Sequence, residues 1–214
     1  MPGAGKYTWR LNSEIVNDPT QRENIGASSD EQLMSEFARG SADAFTALFC
    51  RYRTPICGFF RRRLAEPSQA EELAQEVFLA LLRSAGRYEI TASFRTYLYA
   101  IALRILRAHR RKTIFRAMFQ GAAPPGYEPS ERSGTESALM LREAVGKLDG
   151  IDREMVMLRE YEELTYQEIA EVLQIPVNTV RSRLFRARRS LQELLALPVR
   201  GSAGTQLASA EEHP

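Results

Sequence analysis

Apolar residues in this chain recur at three-and-four spacing from Asp30 onward, with no convincing alternation, so the pattern predicts helices and no strands. Asp30 can cap a first helix that buries Leu33, Met34 and Phe37 and stops at Gly40. Ala44, Phe45, Leu48, Phe49 and Tyr52 mark a second, which Pro55 should interrupt or kink. A third runs from Ser68 to Ser84, with Leu73, Val77, Phe78, Leu81 and Leu82 inward and Glu72, Gln75 and Glu76 outward. Phe94 to Lys112 is a long, basic fourth helix whose buried side carries Phe94, Leu98, Ala102 and Ile105. The segment GAAPPGYEPSERSG then breaks all periodicity. Beyond it, one helix carries Leu139, Leu141, Val145 and Leu148, and another carries Ile151, Met155 and Leu158.

The clearest stretch follows, from Thr165 to Leu195. Thr165 and Glu168 match a capping box, so a helix begins at Tyr166 with Tyr166, Ile169, Ala170 and Leu173 inward. Gln174 to Val177 breaks the period, and Pro176, tolerated only at a helix opening, places the next helix start within two residues of itself. On that last helix Val180, Leu184, Ala187, Leu191 and Leu194 form the inward stripe. This is a helix-turn-helix. The expected architecture is all-α: two small helical domains joined by a flexible Pro/Gly/Ser-rich linker, the second containing the helix-turn-helix. Its parts are an extension at 1–29, a domain at 30–113, the linker at 114–136, a domain at 137–197 and a tail at 198–214.

Chemistry enters on the outward faces. Thr179, Ser182, Phe185, Arg186 and Arg189 point away from the apolar stripe of the last helix, flanked by Arg181, Arg183 and Arg188. Guanidinium forks suit guanine edges, short hydroxyls suit phosphates, and an apolar ring suits thymine methyls, so this face fits a major groove. A merely solvated basic face is the plainer alternative, but it leaves Phe185 exposed without reward. It also leaves the segregation of positive charge from Glu160, Glu162, Glu163, Glu168 and Glu171 unexplained. A second one-sided element lies between Thr91 and Phe115, which holds no Asp or Glu. There Arg104, Arg107 and Arg111 project beside Tyr97, a cationic track with an aromatic on it, as single-stranded nucleic acid requires.

Composition narrows the classes. The 214 residues allow one or two domains, and a formal charge of +2 places the argument on local clusters rather than on the whole chain. Cys50 and Cys57 cannot staple a secreted fold, and with His109 they match no common zinc spacing. His109 falls on the apolar side of its helix and reads as a packing or capping residue. Phosphate loops, nucleophile elbows and paired metal-binding carboxylates are missing, so the expectation is no enzyme, no catalytic residues, no metal and no cofactor. A signal peptide and a membrane-spanning stretch are also missing, which points to a cytoplasmic protein.

AEELAQEVFLALL (Ala70 to Leu82), SFRTYLYAIA (Ser93 to Ala102) and LTYQEIAEVLQIPVNTVRSRLFRARRSL (Leu164 to Leu191), in this order with a linker between, resemble bacterial RNA polymerase sigma factors of the extracytoplasmic-function (ECF) subfamily. The resemblance covers about Asp30 to Leu195. It implies a region 2 domain, a region 4 domain and partners consisting of core RNA polymerase (its β′ clamp and β flap), promoter DNA and an anti-sigma factor. Glu72, Gln75 and Glu76 match the outward residues that dock on the clamp. The loop Arg87 to Ser93, with Tyr88, would accept a flipped base of the minus-ten element, and Tyr97, Arg104, Arg107 and Arg111 would meet the opened strand. Thr179, Arg181, Ser182, Arg183, Phe185, Arg186 and Arg189 would read the minus-thirty-five element. Three positions depart from the family pattern: Arg104 stands where Asn is common, Ala108 where an acid or amide is frequent, and Tyr97 where Trp is frequent. Two other readings are a stand-alone helix-turn-helix regulator, which would bind an operator unaided, and a decoy that only sequesters an anti-sigma protein. The decoy has no use for basic faces in both domains.

Overall fold

The computed structural model describes residues 28–84, 93–121 and 135–196, which form eight helices and no strand. In chain order they are α1 (Asp30–Ala38), α2 (Ala42–Arg61), α3 (Pro67–Ser84), α4 (Phe94–Phe119), α5 (Glu136–Lys147), α6 (Gly150–Glu160), α7 (Tyr166–Leu173) and α8 (Val177–Ala196). The expected N-terminal extension, the expected loop with Tyr88, the Pro/Gly/Ser-rich stretch and the expected C-terminal tail lie outside the described residues.

Helices α1 to α4 pack in sequence, each on the next, and α4 also returns to α1 and α2. Their shared core is aromatic, with Phe59, Phe60 and Phe94 fully buried alongside Ile56, Leu81 and Leu98. Rings of this size bury about 150–250 Å² each, which makes them the main apolar anchors of the domain. In the second domain α8 packs on α5, α6 and α7 through Val180, Leu184 and Ala187, all buried.

Local chemistry sets the ends. The Thr165 capping box forms as the sequence predicts, with Thr165 Oγ1 accepting from Glu168 N at 3.2 Å and Glu168 Oε2 accepting from Thr165 N at 2.8 Å. α7 closes on Gln174, which takes a left-handed conformation (φ 58°), and its amide side chain donates back to the Glu171 carbonyl at 2.6 Å. That side-chain bond anchors a residue where glycine is the usual solution. Pro67 opens α3 at the first helical position, where its missing N–H costs nothing.

Several expectations need correction. Ser29, not Asp30, caps α1, in a full capping box with Gln32. Asp30 instead accepts hydrogen bonds from Arg51 and the Tyr52 hydroxyl on α2. Pro55 does not end its helix; α2 continues to Arg61 because Tyr52, Ile56, Phe59 and Phe60 bury on both sides of the break, and tertiary burial outweighs the lost backbone bond. α4 runs seven residues past Lys112, to Phe119. Leu139 and Leu141 are exposed, at 46% and 39%, because α5 buries only its later turns through Ala144 and Val145.

The sequence leaves the relative placement of the two domains open; in the structure α7 packs directly on α4, and the buried residues of both halves form one continuous apolar cluster. A one-sided reading of α4 and α7 therefore misses Thr96, Tyr99, Ile101, Leu103 and Val172, all buried. In its first turns α4 is covered on more than one side.

Candidate nucleic-acid interface

Helix α8 is held at a fixed angle by cations on its flanks. Arg183 reaches Asp152 at 2.9 Å and Asp149 at 3.8 Å, and Arg188 reaches Glu160 at 2.9 Å and the Tyr166 hydroxyl at 3.1 Å. The Tyr166 hydroxyl first and Glu160 second hold the Arg188 guanidinium above its usual value. Arg183, expected on the reading face, is thus engaged at its edge by α6. Arg189 pairs one turn on with Glu193 at 3.1 Å.

Between these flanks the outward face is open. Phe185 is 70% exposed, and Arg181, Ser182 and Arg186 are exposed with it, while Thr179 is half-buried at the helix start. Arg181 makes only a 3.4 Å contact with Asn178, and Arg186 has no ion pair or hydrogen bond among the described residues. The Ser182 hydroxyl donates to the Thr179 carbonyl at 3.1 Å and stays exposed. An exposed ring between uncommitted guanidiniums presents the donor forks and apolar contact that a major groove accepts.

The second track is partly as expected. Arg104, Arg107 and Arg111 are exposed and without ion pairs among the described residues. Tyr97 is half-buried, its hydroxyl donating to Ser84 Oγ at 2.8 Å, so its ring lies against the end of α3 rather than fully outward. The stripe also continues further than sequence reasoning took it. Phe115, Met118 and Phe119 are 62%, 70% and 78% exposed, on the same side of α4 as Arg104 and Arg111. The helix extension past Lys112, which the sequence reading did not foresee, puts them there.

On α3 the predicted docking residues Glu72, Gln75 and Glu76 are all exposed on one face. Leu79, 48% exposed, shares that face and was missed, although its spacing from Gln75 and Glu76 carried the signal. His109 of α4 lies beside this face and is half-buried, with Thr113 Oγ1 3.5 Å from its Nε2. Burial holds its imidazole below the usual value, against the opposing pull of Glu72 and Glu76.

A helical domain with a cationic track, joined to a helix-turn-helix domain with an open arginine and phenylalanine face, defines a protein built to meet nucleic acid at two places. Two family descriptions match in that order: Sigma-70 region 2 over residues 48–114 and Sigma-70, region 4 over residues 138–191. The RNA polymerase sigma-H factor of Pseudomonas aeruginosa is 32% identical over 187 residues, covering 78% of this chain and 93% of that protein. The ECF RNA polymerase sigma factor SigK of Mycobacterium sp. (strain KMS) is 30% identical over 179 residues, covering 77% and 90%. Among solved structures, CnrH in complex with the cytosolic domain of CnrY has a TM-score of 0.62 at 24% identity, covering 78% of this chain and 97% of that one. RpoE of Bartonella quintana, in complex with the anti-sigma factor NepR, has a TM-score of 0.61 at 20% identity, covering 72% and 98%. The chain belongs to the ECF group of RNA polymerase sigma factors.

Proposed function

We propose that this chain binds core RNA polymerase through the exposed face of α3 and directs it to promoters by reading two separated DNA elements. α8 reads the upstream element through Arg181, Ser182, Phe185 and Arg186, with Thr179 and Arg189 at its margins and Arg183 setting the helix angle from one edge. Arg104, Arg107 and Arg111 of α4 follow the backbone of the opened downstream element, with Tyr97 and the loop containing Tyr88 at its start. Flipping a base costs a few kcal/mol, so neither reader suffices alone. Polymerase supplies the difference by turning the second contact into an intramolecular event.

The observation that carries this reading is the open face of α8: a 70%-exposed Phe185 beside an uncommitted Arg186 has no structural use among the described residues. The same face argues against a decoy, which needs no groove-reading surface. Such a factor works without chemistry of its own, in the compartment of the polymerase, the bacterial cytoplasm. Control by an anti-sigma factor fits its exposed docking surfaces, and the anti-sigma factor NepR bound to a similarly folded sigma factor gives the type of partner. No helix among the described residues is long and apolar enough to cross a membrane.

The test is a gel-shift comparison on promoter fragments from the source genome. The factor should shift specific fragments only when core polymerase is present. Tight, sequence-specific shifts by the chain alone would favour a stand-alone regulator instead.

A further inference from the structure

The seam between the two domains holds a buried ion cluster that the sigma-factor reading does not use. Arg63, two residues past the end of α2, has a fully buried side chain; its Nε donates to Glu154 Oε1 of α6 at 2.7 Å and its Nη1 to Glu162 Oε1 at 3.0 Å. Arg62 donates to both oxygens of Glu162, at 3.0 and 3.1 Å, and lies over the Tyr161 ring at 5.0 Å. The Tyr99 hydroxyl of α4 donates to Glu162 Oε2 at 3.3 Å, and Arg95 donates to the Glu162 backbone carbonyl. Side-chain exposure of Glu162 and Glu154 is 2% and 7%. Every one of these contacts joins one DNA-reading domain to the other.

Burial of this kind has a definite consequence. Charges taken out of water are costly unless each keeps its partner, so removing one member leaves another stranded and strongly disfavours the closed state. Burial alone would weaken the Arg63 cation, yet Glu154 and Glu162 together hold its charge more firmly than in water. Gly58, one turn before Arg62, fits the same design: a Cβ there would stand 2.9 Å from Arg62 Nη1.

The closed arrangement cannot read two promoter elements at once. Centres about 25 base pairs apart are separated by roughly 85 Å at 3.4 Å per pair. A compact body of about 165 residues has a radius of gyration near 15 Å, hence a diameter of roughly 40 Å. The closed state also sets carboxylates against the downstream reader: Glu168 Oε1 lies 3.4 Å from Ser93 Oγ at the start of α4, and Arg95 is committed to Glu162. The stretch from Gly121 to Thr135 can extend over about 50 Å, enough to let the domains separate once the seam opens.

We propose that Glu162 and Glu154, gripping Arg62, Arg63, Arg95 and Tyr99, form a latch that keeps the factor closed until polymerase engages it. This rests on the sigma-factor reading for its opening partner, but not for the latch itself. The seam opens onto a cleft walled by Gln75 and Phe78 of the polymerase-facing helix on one side and by Tyr161 and Glu163 on the other. Docking on α3 therefore takes place beside the latch.

The experiment uses the full chain with Glu162→Gln, and with Arg62→Gln as a milder companion should the first fail to fold, folding being checked by far-UV circular dichroism. Small-angle scattering should show the radius of gyration rising by a quarter or more in the variant. Apparent affinity for core polymerase should tighten about threefold to tenfold, because a larger fraction of the chain is already open. An unchanged radius of gyration would overturn the latch. So would a larger radius with unchanged core affinity, since opening would then lie off the binding route. If the wild-type chain fails to bind core at all, the sigma-factor reading falls, while the scattering comparison still decides whether these carboxylates hold the domains together.

Discussion

Arg186→Ala is the perturbation that isolates sequence reading from folding. The side chain is exposed and uncommitted, whereas its neighbour Arg183 is tied to Asp152 at 2.9 Å, so Arg186 can be removed without touching the fold and Arg183 cannot. Stability should change by no more than about 0.5 kcal/mol, as for other surface substitutions away from caps and ion pairs. A bidentate guanidinium contact to a base is worth about 1–3 kcal/mol of discrimination, or roughly fivefold to 150-fold in relative promoter use. The assay is competitive run-off transcription with core polymerase on two templates that differ only in the upstream element. Arg186→Ala should collapse the preference between them, whereas a residue that touched only phosphate would weaken both equally and lower the salt slope by about one. Unchanged preference at unchanged thermal stability refutes the assignment of α8 as the reader.

Other outcomes follow from the same geometry. Glu76→Arg should weaken core binding at least about tenfold by reversing charge on the exposed face proposed to dock, with thermal stability unchanged; retention of core in a pull-down at wild-type level contradicts that proposal. Leu184→Ala removes a fully buried side chain from the α8 seam and should cost about 2–5 kcal/mol in chemical denaturation, an effect that a surface helix would not show. Glu31 Oε1 accepts the Phe94 N–H at 3.0 Å at the start of α4, and that backbone bond is the main cause holding its carboxyl below the ordinary 4.5. A depressed folded value means the contribution is present above about pH 4.5 and lost as pH falls through the lower folded value. Glu31→Gln should therefore lower the melting temperature at pH 7 and flatten its decline in acid; parallel pH profiles for the two proteins would dismiss the contact.

How far the sequence carries the structure depends on the range of each interaction. The Thr165 capping box, the break before α8 and the stripe of Val180, Leu184 and Ala187 are set by residues within a turn or two of one another, and periodicity exposes them directly. Pro55 misleads because its local cost is overridden by burial of Ile56, Phe59 and Phe60, which no local rule weighs. Asp30 looks like a cap because the pairing that claims it, with Arg51 and Tyr52, comes from another helix. The latch is the extreme case. Glu162 reads in sequence as part of an acidic block and Glu154 gives no signal at all, while their partners Arg62 and Arg63 stand 91 to 100 residues earlier. Outward faces are legible for the converse reason: Glu72, Gln75, Glu76, Arg104, Arg107 and Arg186 need only be absent from an apolar stripe to be placed.

The central claim is that this chain supplies promoter specificity to a polymerase that lacks it. Run-off transcription with purified bacterial core enzyme and a fragment library of the source genome measures this directly. Addition of the chain should produce discrete transcripts whose start points share one pair of elements, spaced alike, with none from core alone. A transcript pattern identical with and without the chain, alongside operator binding by the chain unaided, would contradict the account.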